Sequence, residues 1–394
     1  MARRVVFHIG APKTGTTFLQ TVMWHNRPRL REQGVLYPGD SRMDHFRASE
    51  VVRGLHNRRV RGAGASWERL ASAIDEWPHT GLISHEFFGA ATAEQAERAI
   101  ERLRPADVHL VFTARDYVRQ FPAVWQEALK MRADASLDEF MDRTLRNQVT
   151  GPWSWVTQDM AAILQRWART VEPACVHVVT VPPPGAPRDL LWQRWCTVLG
   201  IDPSSCELDV AFGNESLGVR QAALMHRVKP HLSGPLLEGP NRYRWVRQYL
   251  GHEVLVPQGG ERFGVREHHA RALRARSVEA VRSVREAGYD VVGDLQELIP
   301  PEPPAPVPNP ADVTDEELVE VAVVAIEQMV RDMLSMTRDR DQWRGRARRA
   351  EKQLALRPPP AYSTTTLARV RRWATAHDNT AVRTVRAVYR RVRR

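Results

Sequence analysis

The sequence predicts an α/β fold, in which a central parallel β-sheet is flanked by helices and followed by a C-terminal helical extension. Short apolar runs rich in β-branched residues are typical of buried strands, and they occur at residues 5–9, 81–84, 108–113 and 176–181. Apolar residues at helical spacing lie between them, at residues 16–24, 93–103, 119–131 and 160–169. Strands that alternate with helices favour a parallel sheet covered on both faces.

Composition divides the chain into four segments. Residues 1–299 carry the strand and helix pattern and form the predicted α/β domain. Residues 300–311 are rich in proline and are expected to form a stiff linker. Residues 312–357 contain a predicted amphipathic helix, which suits packing or a coiled coil with a partner, and residues 358–394 form a basic tail. The apolar face of the predicted helix consists of Leu318, Val321, Ala325 and Met329.

Charge is distributed unevenly along the chain. The net charge of +11 comes from 57 basic and 46 acidic residues, and residues 338–394 contain 17 of the basic and 4 of the acidic ones. The rest of the chain is close to neutral, which argues against a nucleic-acid surface on the body. Arginines interleave with aliphatic residues near the end of the tail, a pattern that suits an anionic membrane surface. Nucleic acid, an acidic glycan and a solvated helix remain alternative explanations of the tail.

Targeting and cysteine patterns favour a cytoplasmic protein. No secretory signal pattern precedes the first loop. The longest apolar helical stretch, around residues 321–326, is far shorter than the ~20 residues of a membrane span. The cysteines, Cys175, Cys196 and Cys206, match no zinc or disulfide spacing. We therefore expect a cytoplasmic chain without a transmembrane segment or a bound metal, attached to a membrane only through its tail if at all.

The loop from residue 10 to residue 15, Gly-Ala-Pro-Lys-Thr-Gly, joins the first predicted strand to the first predicted helix. Glycines at both ends permit a tight turn. The start of the helix offers unpaired N–H groups and a partial positive charge, so the loop is suited to an anion. Lys13 adds a full charge, and it is one of only four lysines in an arginine-rich chain.

The position of Lys13 distinguishes this loop from the usual nucleotide-triphosphate loop, in which Gly-Lys-Ser/Thr follows four residues after a glycine. Here the lysine precedes Gly15 by two places, which favours a phosphate with a sulfuryl group over a magnesium-bound triphosphate. Residues 12–19, Pro-Lys-Thr-Gly-Thr-Thr-Phe-Leu, resemble the 5′-phosphosulfate loop of the sulfotransferase family. That family uses 3′-phosphoadenosine 5′-phosphosulfate (PAPS) as its donor.

The resemblance covers roughly residues 3–299 and implies a P-loop-like version of the parallel sheet. It implies that the donor is held without a metal by five consecutive residues of the loop. These residues are Lys13, Thr14, Gly15, Thr16 and Thr17. The implied acceptor is a hydroxyl or amine of a small molecule, a glycan or a glycolipid.

The third predicted strand is followed by Arg115, which matches the position where the family grips the 3′-phosphate of the nucleotide. A guanidinium suits a phosphate because it bonds in a bidentate fashion, although a surface arginine that caps the strand is the alternative. The family's serine eight residues later is replaced here by Ala123, and either Gln120 or Gln126 is a candidate replacement.

Two further residues, Asn214 and Ser216, lie in a polar turn that resembles the later nucleotide-side segment of bacterial sulfotransferases. A helix cap is the alternative explanation for both of them.

The second predicted strand is followed by His85 and Glu86, and the resemblance implies a His or a Glu base at this place. Alternation along a strand points neighbours to opposite sides, so one of the two is expected to face the donor. Glu86 is favoured, because adjacent phenylalanines are expected to raise its pKa by desolvation. His85 remains the second candidate. His8 is expected to be a packed strand residue, and His45 a loop residue near the acceptor.

These features predict a sulfotransferase that moves a sulfuryl group from PAPS to an acceptor. Glu86 or His85 would take the acceptor's proton, while Lys13 would stabilise charge on the leaving phosphate. Two alternatives belong to other classes. A small-molecule kinase requires magnesium and a carboxylate after a strand, and a non-catalytic binding protein would act through the basic tail.

Overall fold

The computed structural model describes residues 2–56, 62–131, 133–210, 216–302 and 306–356, together with Arg372, Trp373 and Ala376. The predictions for Asn214 and for almost all of the basic tail therefore lie outside the described residues. Contacts between residues divide the chain into two compact units, Met1–Ile326 and Glu327–Arg394.

A parallel β-sheet forms the centre of the first unit and confirms the predicted α/β class with a parallel sheet flanked by helices. Within the described residues it contains six strands in the order β2-β3-β1-β4-β5-β6. The strands are β1 (Arg4–Gly10), β2 (Val35–Leu36), β3 (Thr80–Ser84), β4 (Asp107–Ala114), β5 (Val176–Thr180) and β6 (Asp290–Val292). The four predicted runs correspond to β1, β3, β4 and β5. The sequence did not predict β2 and β6, which contain only 2 and 3 residues.

Helices alternate with these strands and flank the sheet. The α-helices of the described residues are α1 (Thr16–His25), α2 (Arg27–Glu32), α3 (Met43–Val52), α4 (Ser66–Asp75), α5 (Ala93–Leu103), α6 (Tyr117–Met131), α7 (Leu137–Leu145), α8 (Trp155–Gln158), α9 (Met160–Trp167), α10 (Leu190–Leu199), α11 (Val219–Val228), α12 (Gly239–Asn241), α13 (Glu267–Glu286) and α14 (Asp315–Leu356). A π-helical segment, Arg242–Leu255, continues directly from α12. No helix in this part of the chain is long and apolar enough to cross a membrane.

Alternation along β1 creates two hydrophobic cores. Val5, Phe7 and Ile9 belong to the larger core, which also contains buried residues of α4, α5, α6, α9 and α13. Val6 belongs to the smaller core on the opposite face, together with buried residues of α1 and α10. Because successive strand residues point to opposite faces, a strand covered on both sides is apolar at almost every position.

The register of the sheet brings three strand ends together. On one side of β1, His8 is level with Ser84 of β3, and on the other side Gly10 is level with Phe112 of β4. The segments that follow β3, β1 and β4 therefore meet at the carboxyl edge of the sheet, where open α/β sheets bind their ligands.

The first turns of α14 belong to the first unit and pack against its other elements. Leu318, Val321 and Ala325 of the predicted apolar face are buried there. Arg220 of α11 forms ion pairs with Glu317 and with the next helical turn at Glu320. The predicted proline-rich linker lies within the same unit, since Gly264 N donates a 3.0 Å hydrogen bond to the carbonyl of Pro308.

Candidate functional site

Backbone geometry shapes the loop between β1 and α1. Gly15 immediately precedes α1 and has a φ angle of 81°, a left-handed conformation that favours glycine. Lys13 is also left-handed, with a φ of 67°. The N-cap residue of α1 is Gly15, which has no side chain, so this position supplies no side-chain hydrogen bond to the first N–H groups of the helix. The first N–H groups of α1 therefore remain suited to an anion.

The ammonium of Lys13 binds a buried carboxylate. Its Nζ lies 3.2 Å from Oε1 of Glu127 on α6, and the Lys13 side chain is 25% exposed. The same carboxylate binds Lys130 at 3.0 Å and Arg247, from the π-helical segment, at 3.2 Å. Burial acts to raise the pKa of Glu127, but Lys13, Lys130 and Arg247 outweigh burial and hold it well below its usual range. Three cations around one carboxylate leave this cluster with excess positive charge.

The threonines of the loop differ in their surroundings. The Thr14 hydroxyl is buried, donates to the carbonyl of Ala11 at 2.5 Å and lies 2.5 Å from Oγ1 of Thr113. It therefore fixes the shape of the loop from inside the protein. Thr16 is buried at the start of α1, whereas Thr17 is exposed beside it.

Arg115 follows β4 and lies beside the loop. Its Nη1 donates a hydrogen bond of 3.2 Å to the carbonyl of Lys13. Burial, together with the charges of Arg119 and Arg262, lowers the pKa of Arg115 to about 10, so the guanidinium is protonated at neutral pH. Among the described residues, no hydrogen-bond partner reaches the buried Nε of Arg115 or the buried hydroxyl of Ser277, and both side chains line one small cavity. A cavity of this size suits a water molecule, whereas the Nη1 end of the Arg115 guanidinium lies at the loop.

Both glutamines proposed to replace the missing serine are bonded to the protein. Gln120 donates to the carbonyl of Pro12 at 3.2 Å and to Oε1 of Gln158 at 2.5 Å. The oxygen of Gln126 accepts a 2.9 Å hydrogen bond from the amide of Leu217. Gln120 therefore supports the loop, and Gln126 holds the segment that follows Ser216.

Ser216 is exposed and lies two residues before the N-cap position of α11. The N-cap residue of α11 is Gly218, so the helix-cap explanation of Ser216 is wrong.

The two candidate bases lie at the end of β3. Nδ1 of His85 accepts a 3.1 Å hydrogen bond from the amide of Phe87, and burial lowers the pKa of His85. The neutral ring then carries its hydrogen on Nε2, which leaves no free lone pair to accept a proton. Glu86 lies next to α1, where Gln20 donates to its Oε2 at 3.1 Å. The geometry at this edge thus favours Glu86 over His85.

The pKa of Glu86 differs from the expectation. Burial alone would raise the pKa of Glu86, as the sequence predicts. Contacts with His85, a backbone amide and Gln20 lower this pKa by a larger amount. The net shift is downward, so Glu86 is ionised at neutral pH and able to accept a proton. The predicted rise in its pKa is wrong because polar partners outweigh desolvation.

The other two histidines are structural. His8 is buried between Ser84, whose Oγ lies 2.8 Å from Nδ1, and the carbonyl of Gly10 at 3.1 Å. The structure therefore agrees with a packed strand residue. His45 lies buried on α3, stacks on Tyr37 and donates to the carbonyl of Pro38 at 2.9 Å. The expectation that His45 occupies a loop near the acceptor is wrong, because the hydrophobic core covers its ring.

Sequence reasoning missed four charged residues of this region: Glu127, Lys130, Arg247 and Arg262. Glu127 had a usable signal, since a glutamate and a lysine three residues apart interrupt an otherwise apolar helix face on α6. Arg247 and Arg262 had none, because nothing local separates them from the other arginines of the chain.

Two groups of metal-ligand side chains lie within the described residues. Asp107, His109 and Cys175 bring their ligand atoms within 4.8 Å of one another, and so do Asp142 and the pair His268–His269. The first group is at the amino end of β4, the opposite edge of the sheet from the loop. Neither group takes part in the site around Lys13.

Comparison with models of known protein families, with curated proteins and with solved structures finds no match for this chain. The fold and the site define an α/β protein with a positively charged loop at the carboxyl edge of its sheet. Its function is therefore inferred from the geometry and charge of the residues around that loop.

Proposed function

We propose that this protein is a sulfotransferase that moves the sulfuryl group of PAPS to a hydroxyl or amine acceptor. One observation carries the proposal: Lys13, Glu86 and Arg115 follow three adjacent parallel strands, β1, β3 and β4, and so gather at one edge of the sheet. A loop cation, a carboxylate and a second cation are the groups that donor binding and deprotonation of an acceptor require. In this proposal the sheet and loop form a P-loop-like nucleotide fold.

The charge of the site supports an anionic nucleotide. The Lys13 ammonium belongs to a cluster in which one carboxylate faces three cations. The Arg115 guanidinium is protonated at neutral pH and lies beside the loop through its bond to the carbonyl of Lys13. We assign the 5′-phosphosulfate to the loop of residues 13–17, and the 3′-phosphate to Arg115. Gln120 shapes the loop through its bond to Pro12, and Ser216 and Asn214 keep the nucleotide-side role that the sequence predicts.

The chain's own groups supply the proton chemistry. Glu86, ionised beside α1, takes the proton of the acceptor as the acceptor's oxygen or nitrogen forms a bond to sulfur. The bond between sulfur and the 5′-phosphate oxygen breaks, and adenosine 3′,5′-bisphosphate leaves. Lys13 and the N–H groups at the start of α1 stabilise the charge that grows on this phosphate oxygen, which is electrostatic preorganisation. The site proposed here uses no metal.

Calorimetric titration with adenosine 3′,5′-bisphosphate tests the nucleotide assignment directly, without knowledge of the acceptor. We expect the bisphosphate to bind without magnesium and more tightly than ATP with magnesium. Lys13→Ala should weaken this binding, whereas Lys352→Ala, on the exposed part of α14, should leave it unchanged. Tighter binding of ATP with magnesium would instead support a small-molecule kinase.

The acceptor is found by a second experiment. Cell extracts incubated with the protein and PAPS labelled in its sulfuryl group yield a labelled product, which mass spectrometry identifies. We expect labelling with the wild type and none with Lys13→Ala. Labelling that survives in Lys13→Ala would contradict the assignment of the loop.

A further inference from the structure

Three metal-ligand side chains meet at the amino edge of the sheet, opposite the edge that holds the loop between β1 and α1. Asp107 and His109 lie two residues apart at the start of β4, so both point to the same side of the strand. Cys175 directly precedes β5, and the register pairs the next residue, Val176, with Leu110 of β4. This pairing brings the three ligand atoms within 4.8 Å of one another.

The distances within this group suit a zinc ion. Nε2 of His109 lies 3.1 Å from Oδ2 of Asp107, and Sγ of Cys175 lies 3.9 Å from Oδ1 of Asp107. Ligand atoms that share one tetrahedral zinc ion are about 3.3–3.8 Å apart, as the zinc bond lengths require. Nitrogen, oxygen and sulfur donors are the ligands that zinc takes in proteins. A carboxylate and a thiolate also carry two negative charges, which match the charge of the ion.

A second layer of side chains orients the ring of His109. Its Nδ1 lies 2.8 Å from Nε2 of His177, and Nδ1 of His177 lies 2.7 Å from Oδ2 of Asp290 on β6. Arg4 makes a longer contact, 3.3 Å, with the same Nδ1 of His109. A zinc-bound histidine typically donates the hydrogen of its other ring nitrogen to an outer partner, and the pair of His177 and Asp290 lies where such a partner is needed.

The ring hydrogens leave one contact of this chain incomplete. Two neutral rings carry two ring hydrogens, but His109 and His177 make three contacts: with each other, with Asp107 and with Asp290. When His109 donates to His177 and His177 donates to Asp290, the lone pair of Nε2 of His109 faces the Asp107 carboxylate. Either a third ring hydrogen or a metal ion completes this contact. The sulfur of Cys175 favours the metal, because a further ring hydrogen needs no third ligand atom.

We propose that Asp107, His109 and Cys175 bind a zinc ion at the amino edge of the sheet, with water as the fourth ligand. Asp107 and Cys175 also line a cavity of about 200 Å³, which gives solvent access to the ion. The ligands come from two strands, so no local cysteine spacing predicts the site. The ion ties the start of β4 to the start of β5, and its binding does not depend on the proposed sulfotransferase activity.

Calorimetric titration of the full chain with zinc chloride tests the site, after chelator treatment and dialysis and with the cysteines kept reduced. We expect the wild type to bind zinc, and His109→Gln and Cys175→Ser each to weaken this binding by more than about 10-fold, since each removes a direct ligand. The matched control is His25→Gln, which removes an imidazole 3.4 Å from the carboxylate of Glu207 and should bind zinc like the wild type.

Circular dichroism confirms that each variant is folded. A wild type that does not bind zinc overturns the proposal, and so does zinc binding that is equally strong in His109→Gln and Cys175→Ser.

Titration with cobalt identifies the sulfur ligand. Cobalt bound to the wild type should show the near-ultraviolet absorption of a thiolate–cobalt bond. This absorption should be absent from Cys175→Ser and retained in Cys206→Ser, which alters a buried thiol outside the group. His177 is a positioning residue, so His177→Gln should weaken zinc binding by about 10–100-fold but keep the absorption at saturating cobalt. An absorption that persists in Cys175→Ser overturns the assignment of the sulfur ligand.

Discussion

Nζ of Lys13 lies 3.2 Å from Oε1 of Glu127, although the two residues are 114 positions apart. Glu127, which lies on the neighbouring helix α6, thus orients the Lys13 ammonium. The same carboxylate also binds Lys130, whose side chain is fully buried. An anion in the loop draws the Lys13 ammonium toward itself and away from Glu127. This ion pair therefore links the stability of α6 to the occupancy of the loop.

Loss of the Glu127 charge should destabilise the fold. Glu127→Gln removes the carboxylate charge that pairs with Lys130, whose side chain is 0% exposed. Removal of one member of a buried ion pair typically costs about 3–5 kcal/mol. We expect a decrease of this size in the free energy of unfolding, measured by urea denaturation. The double variant Glu127→Gln with Lys130→Met should recover part of the loss. The control is Glu101→Gln, which alters a carboxylate that is 77% exposed. The prediction is contradicted if Glu127→Gln lowers the free energy of unfolding by no more than this control does.

Two glycine-to-alanine substitutions distinguish the stability cost of a left-handed backbone from a loss of ligand binding at the loop. Gly15 and Gly54 both have positive φ angles, 81° and 71°. At either position the left-handed backbone alone should make alanine cost about 1–2 kcal/mol of stability, measured by thermal unfolding. A Cβ at Gly15 also comes within 2.5 Å of Leu191, whereas one at Gly54 meets nothing within 4 Å. Only Gly15→Ala should weaken the binding of adenosine 3′,5′-bisphosphate, and equal affinities for the two variants would count against the loop site.

The identity of the base is tested at β3. Glu86→Gln should lower kcat by about 10²–10⁴-fold, since a positioned general base contributes this much. Its affinity for adenosine 3′,5′-bisphosphate should remain close to that of the wild type. Steady-state kinetics with the acceptor found by labelling measure the effect. His85→Asn is the control, because the Asn oxygen is able to accept the Phe87 hydrogen bond. If His85→Asn lowered kcat strongly and Glu86→Gln retained activity, His85 rather than Glu86 would be the base.

Mild acid should destabilise the protein through its buried histidines. Burial lowers the pKa of His8 and the pKa of His45 from 6.5 to about 4. Both rings are neutral in the folded state, so the unfolded chain binds more protons and stability is lost as the pH falls from about 6.5 to 4. Each pKa shift corresponds to a decrease of about 3 kcal/mol in the free energy of unfolding at the lower end of this pH range.

Urea denaturation at a series of pH values measures this loss. The dependence on pH should become shallower in His45→Gln, which removes one of these two rings. It should be unchanged in His25→Gln, since the His25 side chain is 50% exposed. Equal slopes in all three proteins would contradict this explanation.

The sequence was sufficient to predict the centre of the sheet, because fully buried parallel strands are apolar at nearly every position. The predicted run at residues 5–9 matches Arg4–Gly10, and the run at residues 108–113 matches Asp107–Ala114. The edge strands Val35–Leu36 and Asp290–Val292 are too short to produce such a run. Their pairing depends on the register of the neighbouring strand, which local sequence does not encode.

The candidate site was predictable only in part. Residues that directly follow a strand, such as Glu86 and Arg115, could be found because parallel strands end at one edge. Partners supplied by helices could not be found in this way, since Glu127 and Arg247 are brought together across 120 positions. The direction of the Glu86 pKa shift was missed because His85, a backbone amide and the Gln20 amide from α1 together outweigh desolvation, and the sequence does not give the sum of these effects.

The central position of β1 has a consequence for synthesis of the chain. Its residue Arg4 is level with Thr80 on one side and with Asp107 on the other, so β1 has no partner strand until these later segments have left the ribosome. Through that interval both backbone edges of an apolar strand are open, which is the condition that promotes aggregation of nascent chains. Strand β1 can therefore complete its pairing on both sides only after the chain through Ala114 has emerged.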